Sequence, residues 1–75
     1  MLLYYERVGR ALCRARKAAH MTLKEVSDRC FAEQAPLDVN VLSRIENGSR
    51  RLTFDEALLL LEIYQVEIAD FVADI

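Results

Sequence analysis

Apolar residues recur along this chain at the three- and four-residue intervals of amphipathic helices, and no strand-like alternation runs for any length. The first such stripe predicts a helix over about residues 4–19. Its apolar members are Val8, Leu12, Ala15 and Ala19. Four basic residues form a second stripe on another face of this helix: Arg7, Arg10, Arg14 and Lys17. Glycine and proline are scarce as well, so the pattern predicts an all-α protein.

A capping signal marks the start of a second helix. Thr22 is a good N-cap residue, and Glu25 three positions later completes a capping box. We expect this helix to end at about Cys30 or Ala32. The segment 33–37, which contains the only proline, is then a connector.

The third predicted helix spans 39–47. Asp38 precedes it as an N-cap, and Gly48 follows it at the position where a left-handed residue ends a helix. Two arginines, Arg50 and Arg51, come directly afterwards, so the chain places a basic loop at the end of this helix.

Thr53 and Glu56 form a second capping box and begin a fourth helix, and a short fifth helix is expected at about 67–74. The apolar positions of the five helices predict one core, which suits a single domain spanning residues 1–75. Its expected members are Val8, Leu12, Ala15, Val26, Leu42, Ile45, Phe54, Leu58, Leu61 and Phe71.

Composition excludes several classes of protein. Two cysteines, Cys13 and Cys30, are too few for a secreted disulfide framework and indicate buried thiols in a reducing compartment. With His20 they lack the paired spacing of a zinc site, so we expect no metal and no cofactor. The longest apolar run, 57–61, is too short to span a membrane, and we expect neither a signal peptide nor a catalytic site. A cytoplasmic, non-enzymatic protein is expected.

Charge is unevenly distributed. Residues 1–51 contain ten basic residues against six acidic ones, a net of +4, whereas residues 52–75 contain six acidic residues and no base. Such asymmetry is typical of a protein that turns one side towards a polyanion. Because carboxylates repel phosphates, we expect the fourth and fifth helices to lie on the side away from a nucleic acid. Ordinary solvated helix faces are the alternative interpretation.

Two short helices in succession, the second leading into a basic loop, have the outline of a helix-turn-helix. The segments 8–27 (VGRALCRARKAAHMTLKEVS) and 42–51 (LSRIENGSRR) resemble the phage-repressor-like, Cro-like (XRE) helix-turn-helix family. The most specific part is LSRIENG at 42–48. The resemblance implies a compact five-helix, repressor-like domain with its helix-turn-helix at about 22–47. It also implies sequence-specific binding of double-stranded DNA by a transcriptional regulator.

The third helix would then be the recognition helix in the major groove. The resemblance implies that its DNA-contacting residues are Val39, Asn40, Ser43, Arg44 and Asn47. Asn40 is suited to pair with an adenine edge and Val39 to touch a thymine methyl group. A single arginine such as Arg44 is more typical of an ordinary solvated charge, while Asn47 also suits a helix end and Asn40 an idle surface position. Their joint placement on one face favours the functional interpretation.

Phosphate contacts are expected on either side of that helix. The loop residues Ser49, Arg50 and Arg51 would lie over the DNA backbone, and N–H groups near Thr22 and Lys24 would bind phosphate at the start of the second helix. The resemblance also implies that Arg16 on the first helix pairs with Glu46 near the end of the third.

Three features depart from the family pattern. Leu23 stands where relatives usually have a glutamine that contacts the DNA backbone. The turn at about 31–37 is roughly five residues longer than usual, which affects the angle between the second and third helices. His20 replaces a glycine at the end of the first helix, where a positive φ is expected.

Specific binding by so small a unit is expected to need two copies on a palindromic operator, and hence a homodimer. One predicted interface is the C-terminal aliphatic surface, which comprises Leu59, Leu60, Ile63, Val66 and Ile75. The N-terminal segment 1–5 (MLLYY) is the alternative surface. A different class of function, an antitoxin or protein-interaction module with a protein partner, uses the same fold.

Overall fold

The chain forms five α-helices in a computed structural model that describes residues 3–75. The helices are α1 (Tyr4–Ala18), α2 (Leu23–Ala32), α3 (Val39–Glu46), α4 (Phe54–Tyr64) and α5 (Ile68–Asp74). The described part of the chain contains no strand, which confirms the predicted fold class. Met1 and Leu2, two members of the N-terminal apolar segment, lie outside the described residues. No helix between residues 3 and 75 is both long and apolar enough to cross a membrane.

The predicted capping residues begin three of the helices. Thr22 and Glu25 exchange side-chain and backbone hydrogen bonds of 3.1 and 2.8 Å at the start of α2. Thr53 and Glu56 do the same at the start of α4. Asp38 accepts a 2.8 Å hydrogen bond from a first-turn N–H group of α3. Each cap satisfies backbone donors that the helix leaves free, which typically contributes about 1 kcal/mol.

Each of the first four helices ends at a residue with positive φ. These residues are His20 (58°), Gln34 (61°), Gly48 (83°) and Gln65 (58°). At each end the N–H of this residue and the N–H of the residue after it donate to carbonyl groups of the last turn, as in a Schellman motif. The positive φ expected at His20 is confirmed. Only one of the four positions is a glycine, so three helix ends tolerate a strained backbone.

Packing of all five helices around one core confirms most of the predicted interior. The buried apolar side chains are Ala11, Leu12, Val26, Cys30, Leu37, Leu42, Ile45, Leu60, Leu61, Ile63, Tyr64 and Phe71. Val8 and Ala15 are half-buried and pack against this core. α1 and α2 each contact both α3 and α4.

The predicted buried face of α4 was wrong at two positions. Phe54 is 69% exposed and Leu58 is 42% exposed, so neither belongs to the core. Leu60 and Ile63 are buried instead, at 1% and 7% exposure. The leucines at 58–61 surround the helix with apolar side chains, so spacing alone does not determine which face α1 and α2 cover.

The long connector between α2 and α3 is anchored at Leu37, whose side chain is 1% exposed. Before it, the N–H of Ala35 donates to the Cys30 carbonyl at 2.9 Å and closes the end of α2. One apolar side chain of the connector thus enters the core and holds the longer turn against it.

Candidate nucleic-acid interface

One face of α3 is exposed, and it contains all five residues predicted on this helix. They are Val39, Asn40, Ser43, Arg44 and Asn47. Leu42 and Ile45 on the opposite face are buried against the rest of the protein. The structure therefore brings the sequence-predicted residues together on one surface of a helix whose other side is fixed.

Both glycines of the chain lie where α1 meets α3. A Cβ atom on Gly9 would collide with the Ile45 carbonyl oxygen and would lie 2.8 Å from that of Glu46. Gly48 ends α3 with positive φ, and a Cβ atom there would lie 3.1 Å from the Cα of Glu6. The last turn of α3 thus approaches α1 more closely than any side chain would allow. The sequence indicated the role of Gly48, but no local signal indicated that of Gly9.

An ion pair adds to this junction. Arg16 donates from Nε and Nη2 to the two carboxylate oxygens of Glu46, at 2.8 and 3.0 Å. Its hydrogen bond to Glu46 raises the pKa of Arg16. The pairing implied by the family resemblance is confirmed, and it fixes the orientation of α3 relative to α1.

The exposed polar residues of α3 differ in whether their side chains already have hydrogen-bond partners within the chain. Asn40 and Arg44 have no side-chain partner among residues 3–75. Asn47, by contrast, accepts hydrogen bonds from the N–H and hydroxyl groups of Ser49, at 3.0 and 2.7 Å. Asn40 and Arg44 are therefore free to bind a ligand, whereas the side-chain oxygen of Asn47 holds the following loop in place.

Both loop arginines are held by other elements. Arg50 pairs with both carboxylate oxygens of Glu56 at 3.1 Å. Arg51 lies over the ring of Tyr5 on α1, with its guanidinium carbon 5.1 Å from the ring centroid. The contact between Arg50 and Glu56 was not predicted. The acidic residues of 52–75 were expected to lie away from the basic loop, and Glu56 does not.

The start of α2 keeps backbone donors available. Its capping box occupies the N–H groups of Thr22 and Glu25, and those of Leu23 and Lys24 take no part in it. The ammonium group of Lys24 lies 3.4 Å from the Asp28 carboxylate in an exposed pair that contributes little stability. Leu23 is half-buried and packs against the core. The helix end can therefore accept a phosphate through its backbone.

The basic stripe of α1 is partly occupied by the end of α5. Arg14 binds the Asp74 carboxylate at 3.0 Å, and Arg7 donates to the Ile75 carbonyl oxygen at 2.8 Å. Arg10 and Lys17 have no ion-pair partner within the described residues. The contacts of Arg14 with Asp74 and of Arg7 with Ile75 join residues 60 or more positions apart, so no local sequence signal could have indicated them.

The predicted C-terminal interface needs a correction. Leu60 and Ile63 belong to the interior of one chain and are unavailable to a second copy. Leu59, Val66 and Ile75 are half-buried. The exposed apolar side chains of this half are instead Phe54 and Leu58 on α4 and Ile68 and Val72 on α5.

Comparisons with known proteins agree with this architecture. The sequence matches the family model HTH_3, described as helix-turn-helix, over residues 14–71. The fold is similar to that of the clp gene regulator ClgR from C. glutamicum, with a TM-score of 0.83 and 20% sequence identity. That similarity covers 97% of this chain and 87% of the other. At 20% sequence identity, this similarity shows that the two proteins share a fold and shows nothing about function. No curated protein matches the sequence.

Proposed function

Because this chain belongs to the helix-turn-helix family HTH_3, we propose that it is a DNA-binding transcriptional regulator, of repressor type, that reads the major groove with α3. The observation that carries this proposal is the combination of an exposed α3 face with a fixed opposite face. A recognition helix needs both properties, since its side chains specify bases only when the helix has a set position on the duplex.

The residues of α3 have distinct roles in this proposal. Asn40, in the first turn, is placed to pair with an adenine edge, and Val39 beside it contacts a thymine methyl group. Ser43 and Arg44, one turn further, reach base edges or the neighbouring phosphates. The N–H groups at the start of α2 and the arginines after α3 bind the DNA backbone on either side.

Selection of bound sequences from a random DNA pool tests the proposal. We expect a defined motif to emerge. Replacing Asn40 by alanine should then reduce the preference at one base-pair step by about 1–3 kcal/mol. Glu62→Ala is the control, because Glu62 is exposed on α4 and lies outside both the proposed DNA-contacting residues and the proposed dimer surface. Failure to recover any bound DNA would rule out the function. A uniform loss for Asn40→Ala would remove Asn40 from base recognition.

The regulator is proposed to act as a homodimer on a palindromic site. A groove of about 270 Å³ runs between α1 and α5, and three alanines line its α1 side. Ile68 and Val72 are exposed on α5, and the basic stripe of α1 lies beside the acidic end of α5. Arg10 and Lys17 have no ion-pair partner within the described residues. Two copies related by a two-fold axis can therefore pair this basic surface with acidic surface while each buries the aliphatic side chains of the other.

The dimer would set the spacing of the two recognition helices. Successive major-groove sites on one side of a duplex are roughly 34–36 Å apart, so the two α3 helices are proposed to sit at that separation. The acidic residues of α5 would then lie near the two-fold axis. At cellular salt the Debye length is about 8 Å, so phosphates further away experience little repulsion from them.

A second candidate function is a protein-interaction module, including an antitoxin that combines DNA binding with capture of a toxin. Phe54 and Leu58 favour it, since they form an exposed apolar pair one turn apart on α4. A salt titration distinguishes the two functions. Affinity for DNA falls steeply with salt because counterions are released, whereas an apolar protein contact changes little.

A further inference from the structure

Arg50 is attached to two helices at once. Its backbone N–H donates to the Arg44 carbonyl at the end of α3, at 3.1 Å. Its guanidinium group binds the Glu56 carboxylate in the first turn of α4. The position of this charged group is therefore fixed relative to the proposed recognition helix.

Glu56 is itself immobilised. It is the third residue of α4, and its Oε1 accepts a 2.8 Å hydrogen bond from the Thr53 N–H as part of the capping box. Its side chain is only 18% exposed. The hydrogen bonds from Arg50 lower the pKa of Glu56 and so favour its ionised form. A charged group that cannot move away thus holds the guanidinium group of Arg50.

The guanidinium group retains one unused edge. An arginine has five N–H donors in a planar fork. The two N–H groups of Nη1 donate to Glu56 and to the Arg51 carbonyl oxygen, and one N–H group of Nη2 donates to Glu56. The Nε–H and the second Nη2 donor have no partner among residues 3–75. These two donors lie side by side, in the arrangement that binds two phosphate oxygens.

We infer that Glu56 is a positioning residue for phosphate binding, which holds Arg50 so that its Nε–Nη2 edge receives a DNA phosphodiester. This inference rests on the proposed DNA-binding function and adds a residue from the acidic half to the interface. An arginine already held in its binding geometry loses less side-chain freedom when it meets the phosphate. Arg51 gains a comparable restraint from Tyr5.

Simple electrostatics makes the opposite prediction. Removing a carboxylate close to a polyanion should strengthen binding, since one repulsive charge is lost. The sign of the effect of Glu56→Gln therefore separates positioning from repulsion or competition. This substitution is structurally mild, because glutamine at the third helical position also completes a capping box.

The experiment measures the affinity of wild type and variants for the selected operator and for unrelated DNA over a range of salt concentrations. We expect Arg50→Ala to weaken binding to both by about tenfold, and to lower the slope of log affinity against log salt by about one. Glu56→Gln should weaken binding to both DNAs by about threefold or more, in the direction of Arg50→Ala. Arg50→Lys, which keeps the charge but not the fork, should also weaken binding.

Two controls make the result specific. Asp55→Asn removes an exposed neighbouring carboxylate that has no ion-pair partner in the described chain, and it should leave affinity unchanged or slightly higher. In an Arg50→Ala background, Glu56→Gln should cause no further loss of affinity, because its positioning role depends on Arg50. Thermal unfolding checks that each variant is folded.

The outcomes also separate this inference from the function on which it rests. If Glu56→Gln binds DNA as tightly as wild type or more tightly, the positioning role is overturned while DNA binding stands. If it weakens binding equally with and without Arg50, its effect comes from α4 and the inference fails. A wild-type protein that binds no DNA overturns both proposals.

Discussion

Arg16 and Glu46 join α1 to the last turn of α3 through two hydrogen bonds, and both side chains are nearly buried, at 13% and 12% exposure. The third nitrogen of Arg16 donates to the Met21 carbonyl at 2.9 Å, just before α2. One side chain therefore connects α1, the turn before α2, and α3. Removing its partner would leave a charge in a site with little access to water.

The first prediction follows from this pair. Glu46→Ala should lower the free energy of unfolding by about 3 kcal/mol, because the Arg16 charge is left without compensation. The double variant Arg16→Met, Glu46→Leu should recover much of that loss, since no charge remains to be desolvated. Urea denaturation measures both. A Glu46→Ala protein within about 0.5 kcal/mol of wild type would contradict the prediction.

The second prediction concerns Gly9. Glycine to alanine inside a helix normally stabilises a protein by roughly 0.5–1 kcal/mol. Here the new methyl group meets the Ile45 and Glu46 carbonyl oxygens, which are backbone atoms and cannot rotate away. We expect Gly9→Ala to destabilise the protein by about 1–3 kcal/mol and to reduce DNA affinity by displacing α3. A stabilising effect in thermal denaturation would show that α1 and α3 can separate without cost.

The third prediction uses the left-handed helix ends. Gln65 adopts φ 58° at the end of α4, a conformation that is unfavourable for a residue with a Cβ atom. Gln65→Gly should therefore raise the free energy of unfolding by up to about 1 kcal/mol. Gly48→Ala, at the corresponding position of α3, should change stability in the opposite direction, because it adds both the left-handed strain and a contact with Glu6. Equal signs for the two variants would refute this explanation.

The fourth prediction is a pH dependence from Glu56. Hydrogen bonds from Arg50 lower its pKa in the folded protein from the ordinary value of 4.5. A lowered folded-state pKa means that the contribution to stability is complete above that ordinary value and is lost as the pH falls through the folded-state pKa. We expect wild type to lose more stability than Glu56→Gln between pH 7 and pH 3, measured by urea denaturation. Equal losses would show that the pair contributes no linked stability.

The fifth prediction concerns assembly. If the dimer forms through α5, Val72→Glu should convert it to monomers at micromolar concentration, because a carboxylate would enter an apolar contact. Leu58→Glu is the control, as Leu58 is exposed on α4, outside the proposed interface. Sedimentation or light scattering gives the molecular mass of the wild type and of each variant in solution. If Leu58→Glu dissociates the dimer and Val72→Glu does not, the interface lies on α4 and not on α5. A monomeric wild type that binds a palindrome non-cooperatively would exclude the dimer.

Local sequence determined where α2, α3 and α4 begin and where α3 ends. The hydroxyl of Thr22 and the carboxylate of Asp38 each satisfy a backbone donor three residues away, and Gly48 stops α3 through its own backbone freedom. These interactions need only a few neighbouring residues, so they can be predicted from the sequence. The exposed face of α3 was predictable for the same reason, since helical spacing places Leu42 and Ile45 opposite Asn40 and Arg44.

Tertiary structure decided which side of α4 is buried and which charges meet. With leucine at every position from 58 to 61, more than one face of α4 was apolar enough to be covered, and packing on α1 and α2 selected the face with Leu60 and left Phe54 exposed. The pairing of Arg50 with Glu56 and the close approach at Gly9 likewise depend on how separate elements are placed. Helical periodicity describes one element at a time, whereas the distance between elements is set by the packing of them all.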